Sequence, residues 1–283
     1  DKPMGLYAHG ESLYMATRYQ IWQLENRLAK DELHQDCDRL YVPCQSHTTG
    51  DVNVHDVVVT QAQQILFINT DFSCLATLQA GFNFAPIWKP PFITRLVAED
   101  RCHLNGLAMQ DDQPMYVTAC SATDEAAGWR DHRRNGGLVM HIPSNEIIAT
   151  GLSMPHSPRW YQGKLWILNS GTGELGYLDG GQFLPITFCP GFVRGLAFWK
   201  NFALIGLSQL RAKAFTGLSL ETRLAAENMP VQCGLAVVDL NTGNLLHALH
   251  INGVVEELFD VVVLPDVRQP RALGFQDDDI ERL

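Results

Sequence analysis

A short apolar segment recurs six times along this 283-residue sequence, and the repeat fixes the architecture more tightly than any other feature. In five copies a second strand-like segment follows about nine or ten residues later. Self-similarity of this kind indicates stacked structural units. The first segments are Met4–Tyr7, His55–Val59, Asn105–Ala108, His156–Arg159, Arg194–Ala197 and Asp260–Val263.

The repeat predicts an all-β, six-bladed β-propeller that occupies residues 1–283 as one domain. Each unit has the composition of a small antiparallel sheet that cannot bury both faces alone, and such units stack around an axis as blades. Only about twenty residues follow Asp260 and its neighbours. We therefore expect the sixth blade to be partial, or to be completed by sequence upstream of Asp1.

Helix is expected only in insertions between strands. Residues 218–226 carry the mixed apolar and charged pattern of a short amphipathic helix. Residues 27–51 and 119–136 are long polar connections, and long connections in compact domains are often binding loops. These segments are expected to cover one end of the ring.

Composition excludes several classes of partner. The chain has 21 basic and 31 acidic residues, a net charge of −10, which repels nucleic acid and anionic lipid. The longest apolar runs, such as Val57–Val59 and Val261–Leu264, are far shorter than a membrane span. Seven cysteines without a CxxC pair favour reduced thiols and a cytoplasmic protein.

Several long phrases carry a family resemblance. They are Thr49-Gly50-Asp51 before His55-Asp56, the segments 69–75 and 99–106, Gly128-Trp129-Arg130, and the segments 151–159, 190–196 and 257–261. Together they resemble an uncharacterised bacterial domain-of-unknown-function family, sometimes fused to tetratricopeptide repeats. The resemblance implies a propeller-like fold and no particular activity. Cys44 stands where the family is expected to carry arginine after Pro43.

Three histidines occupy the start of first segments in consecutive units. His103 lies 48 residues after His55, and His156 lies 53 residues after His103. Because the first strand of each blade lines the channel, these imidazoles are predicted to converge near the axis. Neutral imidazole suits a divalent transition metal such as Fe, Mn or Zn, with positions left open for water and substrate.

The same histidines also admit a purely structural interpretation, in which they hydrogen-bond neighbouring blades and cap strand ends. Resemblance to propeller lyases and oxygenases with axial histidines adds weight to the metal site, and a calcium site like that of lactonase-like propellers is a weaker version. Four polar residues could complete coordination or orient the imidazoles. They are Asp56, Asn105, Asp260 and Glu257, of which Asp260 is expected to point inward.

Arg159 and Arg194 follow the first segments of adjacent units, and two guanidinium groups at a channel mouth would suit a substrate carboxylate or phosphate. Their alternative role is pairing with acidic residues between blades. Asp260 joins them as a candidate catalytic residue.

Other candidate sites carry weaker signals. The set His34, Cys37, Cys44 and His47 offers four zinc ligands, but its spacing matches no reliable zinc motif. Cys74 and Cys102 are interpreted as packing residues. The basic cluster from Trp129 and Arg130 to Arg134 is either a solvated loop or a lid over an anionic ligand.

The sequence therefore predicts a metal-dependent propeller enzyme, with His55, His103 and His156 as ligands, acting on a small-molecule or peptide substrate. The reaction could be that of a lyase, a hydrolase or an oxygenase. The alternative is a non-catalytic scaffold that presents its blades, and the loops at 27–51 and 212–233, to a protein partner.

Overall fold

The repeated segments form antiparallel sheets whose strands follow one another in chain order. The structure, a computed structural model, describes residues 2–209 and 217–275 together with Asp278 and Ile280. Five sheets make an all-β propeller with five blades. The first strand of each blade contacts the first strand of the next, from blade 1 through blade 5.

The strand bounds are as follows. Blade 1 contains β1 (Gly5–His9), β2 (Ser12–Ala16), β3 (Gln20–Asn26) and β4 (Arg39–Thr48). Blade 2 contains β5 (Val54–Val59), β6 (Ile65–Asn69), β7 (Cys74–Gln79) and β8 (Phe82–Trp88). Blade 3 contains β9 (Leu104–Gln110), β10 (Gln113–Ala119), β11 (Gly137–His141) and β12 (Glu146–Leu152). Blade 4 contains β13 (Pro155–Tyr161), β14 (Lys164–Asn169), β15 (Glu174–Asp179) and β16 (Gln182–Phe188). Blade 5 contains β17 (Phe192–Trp199), β18 (Phe202–Ser208), β19 (Gly234–Asp239) and β20 (Leu245–His250).

The predicted count of six blades is wrong. Within the described residues, the sixth copy of the repeat, Asp260–Val263, forms no strand. It lies between blades 5 and 1, where Leu6 N donates to Asp260 Oδ2 at 2.9 Å. Further along, β21 (Pro270–Ala272) pairs in parallel with β4, so the C-terminal segment also joins the outer edge of blade 1. The sixth copy therefore packs between blades 5 and 1 but does not form a blade of its own.

The apolar residues of the repeat are buried between neighbouring blades. Each cluster combines residues from the strands of two adjacent sheets, because one face of a sheet is covered only by the next sheet. The clusters include Val57 and Phe67 with Ala16 and Ile21, Leu66 and Ile68 with Leu104 and Leu107, Ala108 and Val139 with Ile167, and Leu168 and Leu175 with Val193 and Ile205.

Two insertions pack together over one end of the channel. Helix α1 (Ser219–Ala226) buries Leu220 and Leu224 in a cluster with Trp129 and Phe192. Trp129 belongs to a 3-10 helix, Gly128–His132. The expected helix is confirmed, while residues 212–216 of the predicted loop lie outside the described part of the chain. In contrast, the expected loop at 27–51 contains strand β4. No helix among the described residues has the length and apolarity needed to span a bilayer.

Candidate functional site

Three histidines from three consecutive blades meet at one end of the channel. His55 and His156 lie on the inner strands β5 and β13, and His103 directly precedes β9. One ring nitrogen from each lies within 4.8 Å of the others. The ring centroids of His55 and His103 are 4.8 Å apart, and each is 6.3 Å from that of His156. The predicted convergence of the imidazoles is therefore found in the structure.

His55 and His156 are held by the same local arrangement. His55 Nδ1 lies 3.1 Å from the Asn53 carbonyl, and His156 Nδ1 lies 2.8 Å from the Met154 carbonyl, each two residues earlier. Asn53 and Met154 both adopt left-handed backbone conformations, with φ of 53° and 48°, and this curls the chain back toward the ring. Since a carbonyl oxygen only accepts, Nδ1 of both imidazoles carries the hydrogen.

A hydroxyl group supports each of these two rings. Thr70 Oγ1 donates to the Leu104 carbonyl at 2.6 Å and lies 2.8 Å from His55 Nδ1. Ser170 Oγ donates to the Val193 carbonyl at 2.6 Å and lies 3.2 Å from His156 Nδ1. A hydroxyl has one hydrogen, so its second contact must accept from the imidazole. Both devices again place the hydrogen on Nδ1.

His103 has a charged partner instead. Both carboxylate oxygens of Asp100 lie 3.0 Å from His103 Nδ1, and Asp100 Oδ2 also accepts from Trp129 Nε1 at 2.9 Å. The Trp129 ring stacks on His103, with centroids 4.1 Å apart. Nδ1 of all three histidines is thus a donor, and Nε2 is the nitrogen left with a lone pair in the neutral ring.

The surroundings keep two of the rings neutral. Burial lowers the pKa of His55 well below its usual value, and the nearby His103 and Arg194 lower it further. Burial and then Arg194 lower the pKa of His156 in the same way. Within the described part of the chain, the buried Nε2 of His156 has no hydrogen-bond partner. A buried nitrogen with an unused lone pair is the form that a metal ligand requires.

A cavity of about 190 Å³ opens beside the cluster. His55 and His103 line it, and His156 is buried next to them. Arg194 also lines the cavity, and its guanidinium carbon lies 5.0 Å from the ring centroids of both Phe192 and Phe259. The remaining wall includes Lys2, Met4, Asn53, Asp100, Trp129, Arg130, Met154 and Glu257.

Comparison with known proteins places this chain in a family. A family model described as a domain of unknown function, DUF4915, matches residues 1–273. The chain belongs to the DUF4915 family. A search of the curated proteins gives no significant match for this DUF4915 domain.

Solved structures resemble the DUF4915 domain at low sequence identity. A Xanthomonas campestris gluconolactonase shares 13% identity with a TM-score of 0.55, covering 89% of this chain and 76% of its own. A chain of a nidogen/laminin complex shares 12% with a TM-score of 0.53, covering 88% and 80%. Staphylococcus aureus virginiamycin B lyase shares 8% with a TM-score of 0.50, covering 89% and 85%. At these identities the likeness supports the fold alone.

The two arginines predicted to share one channel mouth are not together in the DUF4915 domain. Arg194 lines the histidine cavity, whereas Arg159 lines a separate cavity of about 410 Å³. Arg159 Nη1 donates to Asp56 Oδ2 at 2.7 Å, and its Nη2 lies 3.7 Å from Asp260 Oδ1. Burial opposes the charge of Arg159, but Asp56 and Asp260 raise its pKa overall. These contacts match the pairing between blades that the sequence allowed as an alternative.

The polar residues expected beside the histidines have other partners. Asp56 Oδ2 accepts from Leu107 N at 2.9 Å, and Asn105 Oδ1 accepts from Thr118 Oγ1 at 2.7 Å. Of the four polar candidates, Glu257 alone lines the histidine cavity. Sequence reasoning missed the residues that do hold the imidazoles, namely Thr70, Asp100 and Ser170. The Asn-Thr and Asn-Ser pairs that end β6 and β14 were the available signal for two of them.

The other candidate sites do not assemble. Among the described residues, the histidine triad is the one group of three or more potential ligands close enough for a metal. His34 and Cys37 pair through their backbones, Cys44 is exposed, and His47 Nε2 lies 3.3 Å from the Asn83 carbonyl. Cys74 and Cys102 are fully buried, and burial raises the pKa of each thiol to about 12. Both are packing residues.

Proposed function

We propose that the DUF4915 domain is a metal-dependent enzyme that holds a divalent transition metal, Fe, Mn or Zn, through Nε2 of His55, His103 and His156. One observation carries the proposal: every Nδ1 in the cluster is committed as a donor, which leaves the lone pairs of the three Nε2 atoms available for coordination. A buried polar atom without a partner costs about 1–3 kcal/mol, and a bound cation would satisfy the Nε2 of His156.

The cluster fits a metal site in its chemistry and approximately in its size. Two imidazole nitrogens on a tetrahedral zinc lie about 3.4 Å apart, given Zn–N distances of about 2.0–2.1 Å. The nitrogens of the cluster lie within 4.8 Å of one another, so the rings would move closer together by up to about 1.4 Å to hold zinc. Three neutral imidazoles favour a transition metal over calcium, which prefers oxygen ligands.

The neighbouring cavity supports an enzymatic role. A metal with three protein ligands keeps open positions, and it supplies Lewis acidity or activates water or dioxygen. Arg194, steadied between Phe192 and Phe259, would bind an anionic group of a small substrate or of one end of a peptide. Two of the structural neighbours are enzymes, a lyase and a gluconolactonase, which supports an enzymatic role for this domain. The reaction could be that of a lyase, a hydrolase or an oxygenase. Arg159 and Asp260 are assigned a structural role here.

Elemental analysis of the purified protein tests the proposal. We expect one equivalent of a transition metal per chain, removed by a chelator and restored by Zn²⁺, Mn²⁺ or Fe²⁺. His156→Ala should lose the metal, while His250→Ala, at an exposed position on β20, should retain it. A wild-type protein that binds none of these ions in stoichiometric amount would leave the histidines with a structural role only.

The exposed outer strand of blade 5 favours a second candidate function, a protein-binding scaffold. All six residues of β20 are exposed, including Leu245, Leu246 and Leu249. An edge strand with exposed leucines and free backbone groups is a site for strand pairing. A second copy of the chain is the partner that can be tested directly. Light scattering should show self-association that Leu249→Lys abolishes; a monomeric wild-type protein would contradict pairing between copies.

A further inference from the structure

The three histidines are not supported equally. His55 and His156 each contact a carbonyl and a hydroxyl, which are neutral groups. His103 alone contacts a carboxylate, with both oxygens of Asp100 at 3.0 Å from Nδ1. A carboxylate that accepts from Nδ1–H fixes the tautomer and raises the basicity of Nε2. The cluster therefore has one ligand that differs from the other two.

Asp100 itself is held in position from several sides. Its backbone adopts a left-handed conformation with φ of 45°, and its N–H donates to the Asp71 carbonyl at 2.9 Å. Its Oδ2 accepts from Trp129 Nε1, whose ring lies against His103 at a centroid distance of 4.1 Å and an interplanar angle of 27°. Trp129 thus contacts His103 directly and also fixes the acceptor of its Nδ1.

The segment that carries Trp129 is anchored beside Asp100. Arg101 is 4% exposed, and its guanidinium bonds Glu99 and Asp124, each at 2.7 Å. Thr123 Oγ1 donates to the Arg101 carbonyl at 2.6 Å. These bonds join the insertion between β10 and β11 to the residues just before His103. The stack on His103 is therefore built into the fold and does not depend on an exposed side chain.

We infer that Asp100 and Trp129 are a positioning pair that makes His103 the strongest ligand of the metal site. A metal bound to His103 would then change the fluorescence of the stacked Trp129 indole. This inference deepens the proposed function and rests on it. Neither residue reaches the metal in this role; each acts through His103.

Two substitutions separate the charge of Asp100 from its geometry. Asn and Gly are the residues best suited to a left-handed backbone, so Asp100→Asn and Asp100→Gly avoid the strain that other residues would introduce. Asn keeps an acceptor for Nδ1–H and removes the charge, whereas Gly removes both. In competition with a chelator, Zn²⁺ affinity should fall about 10- to 100-fold for the Asn variant and further for the Gly variant.

Asp112→Asn is the matched control, since Asp112 also has a left-handed backbone, with φ of 61°, and its carboxylate accepts from Gln61 N at 3.0 Å instead of from a histidine. It should leave Zn²⁺ affinity unchanged. ¹⁵N NMR of the metal-free protein adds a readout that a purely structural role would not move: the His103 ring should keep hydrogen on Nδ1 in the Asn variant and lose that preference in the Gly variant.

Co²⁺ titration tests the role of Trp129, because an open-shell ion quenches a nearby indole. Quenching should be lost in Trp129→Phe and kept in Trp199→Phe, at an exposed position of blade 5. If the wild type binds Zn²⁺ but folded Asp100 variants bind it equally well, this inference is wrong and the metal site stands. If the wild type binds neither Zn²⁺ nor Co²⁺, the proposed function and this inference fail together.

Discussion

The hydroxyl groups of Thr70 and Ser170 connect the candidate site to the contacts between neighbouring blades. Thr70 and Ser170 occupy matching positions at the ends of β6 and β14, and each donates to a carbonyl of the following blade while it supports a histidine. Because the one hydroxyl hydrogen is used between blades, the imidazole must supply the hydrogen of the second bond. One atom thus contributes to packing and to the tautomer of a candidate ligand.

Removal of the Thr70 hydroxyl should destabilise the protein measurably. Thr70→Val keeps the shape but leaves the buried Leu104 carbonyl without its donor, which costs about 1–3 kcal/mol in the free energy of unfolding. Thr77→Val is the control: Thr77 Oγ1 donates to the Ile65 carbonyl at 2.8 Å at a half-buried position, where water can replace it. Urea denaturation should show a larger loss for Thr70→Val, and equal losses would contradict the proposed bridge.

The sequence predicted the histidines but not their supports. The imidazoles occur in three consecutive blades, at or directly before the start of the inner strand, so strand register alone brings them together. Asp100 follows no such period: it lies three residues before His103 on a left-handed backbone, and its second partner, Trp129, comes from an insertion. A contact made through an insertion has no periodic signal in one sequence.

Among the structural elements, the inner strand of blade 5 depends on one glycine. Gly195 has φ of 72° at a bulge in β17, directly after Arg194, and a Cβ there would lie 2.6 Å from the Asp260 backbone. A side chain at this position meets both backbone strain and a steric clash. The glycine therefore permits the close approach of the C-terminal segment.

Gly195→Ala should be distinctly more harmful than the same change in a hairpin. Gly163 has φ of 74°, and a Cβ added there would meet nothing within 4 Å, so Gly163→Ala should cost only the conformational strain of about 1–2 kcal/mol. Gly195→Ala should add a further ~1–3 kcal/mol for overpacking. Urea unfolding of both variants measures the difference; similar losses would show that the Asp260 segment moves away freely.

The sixth repeat shows what a hydrophobic pattern can and cannot predict. Asp260 accepts from Leu6 N, as Asp56 accepts from Leu107 N, and apolar residues follow both aspartates. The two segments therefore look alike in sequence. In the described residues, however, no strand pairs with Asp260–Val263, since the chain continues toward β21. The apolar pattern indicates that a segment is buried against a neighbouring blade. To form a blade, the segment also needs further strands that hydrogen-bond to it as a sheet.

At the scale of the whole molecule, a metal at the histidine triad would join three blades. A ligand that binds only the folded state stabilises it by about 2.7 kcal/mol at one hundred times its Kd. Zn²⁺ should therefore raise the Tm of the chelator-treated wild type. Differential scanning calorimetry should show no such rise for His156→Ala and an intact rise for His250→Ala, and a rise in both variants would indicate binding elsewhere.

Two aspartates attach the C-terminal segment to the ring, and their pH dependence should have opposite signs. Burial raises the pKa of Asp260 to about 7, and the nearby charge of Asp56 raises this pKa further, while Arg159 opposes the shift. Tyr7 lies near the same arginine. Hydrogen bonds from the backbone N–H groups of Arg268 and Gln269 lower the pKa of Asp38 instead.

Between about pH 4 and pH 7, the unfolded chain has released the Asp260 proton and the folded chain still holds it. The free energy of unfolding therefore falls with rising pH, by at most ~1.4 kcal/mol per pH unit for one proton.

Asp260→Asn should remove this decline, so its stability relative to the wild type should improve steadily from pH 4 to pH 7. Asp38→Asn should change the pH dependence only below about pH 4. In that range the wild type gains stability with rising pH, because Asp38 loses its proton at a lower pH in the folded chain than in the unfolded chain. Urea titrations across this range decide the matter: a constant difference between Asp260→Asn and the wild type would mean that Asp260 is ionised in the folded ring, and that closure between blades 5 and 1 relies on its full charge beside Arg159.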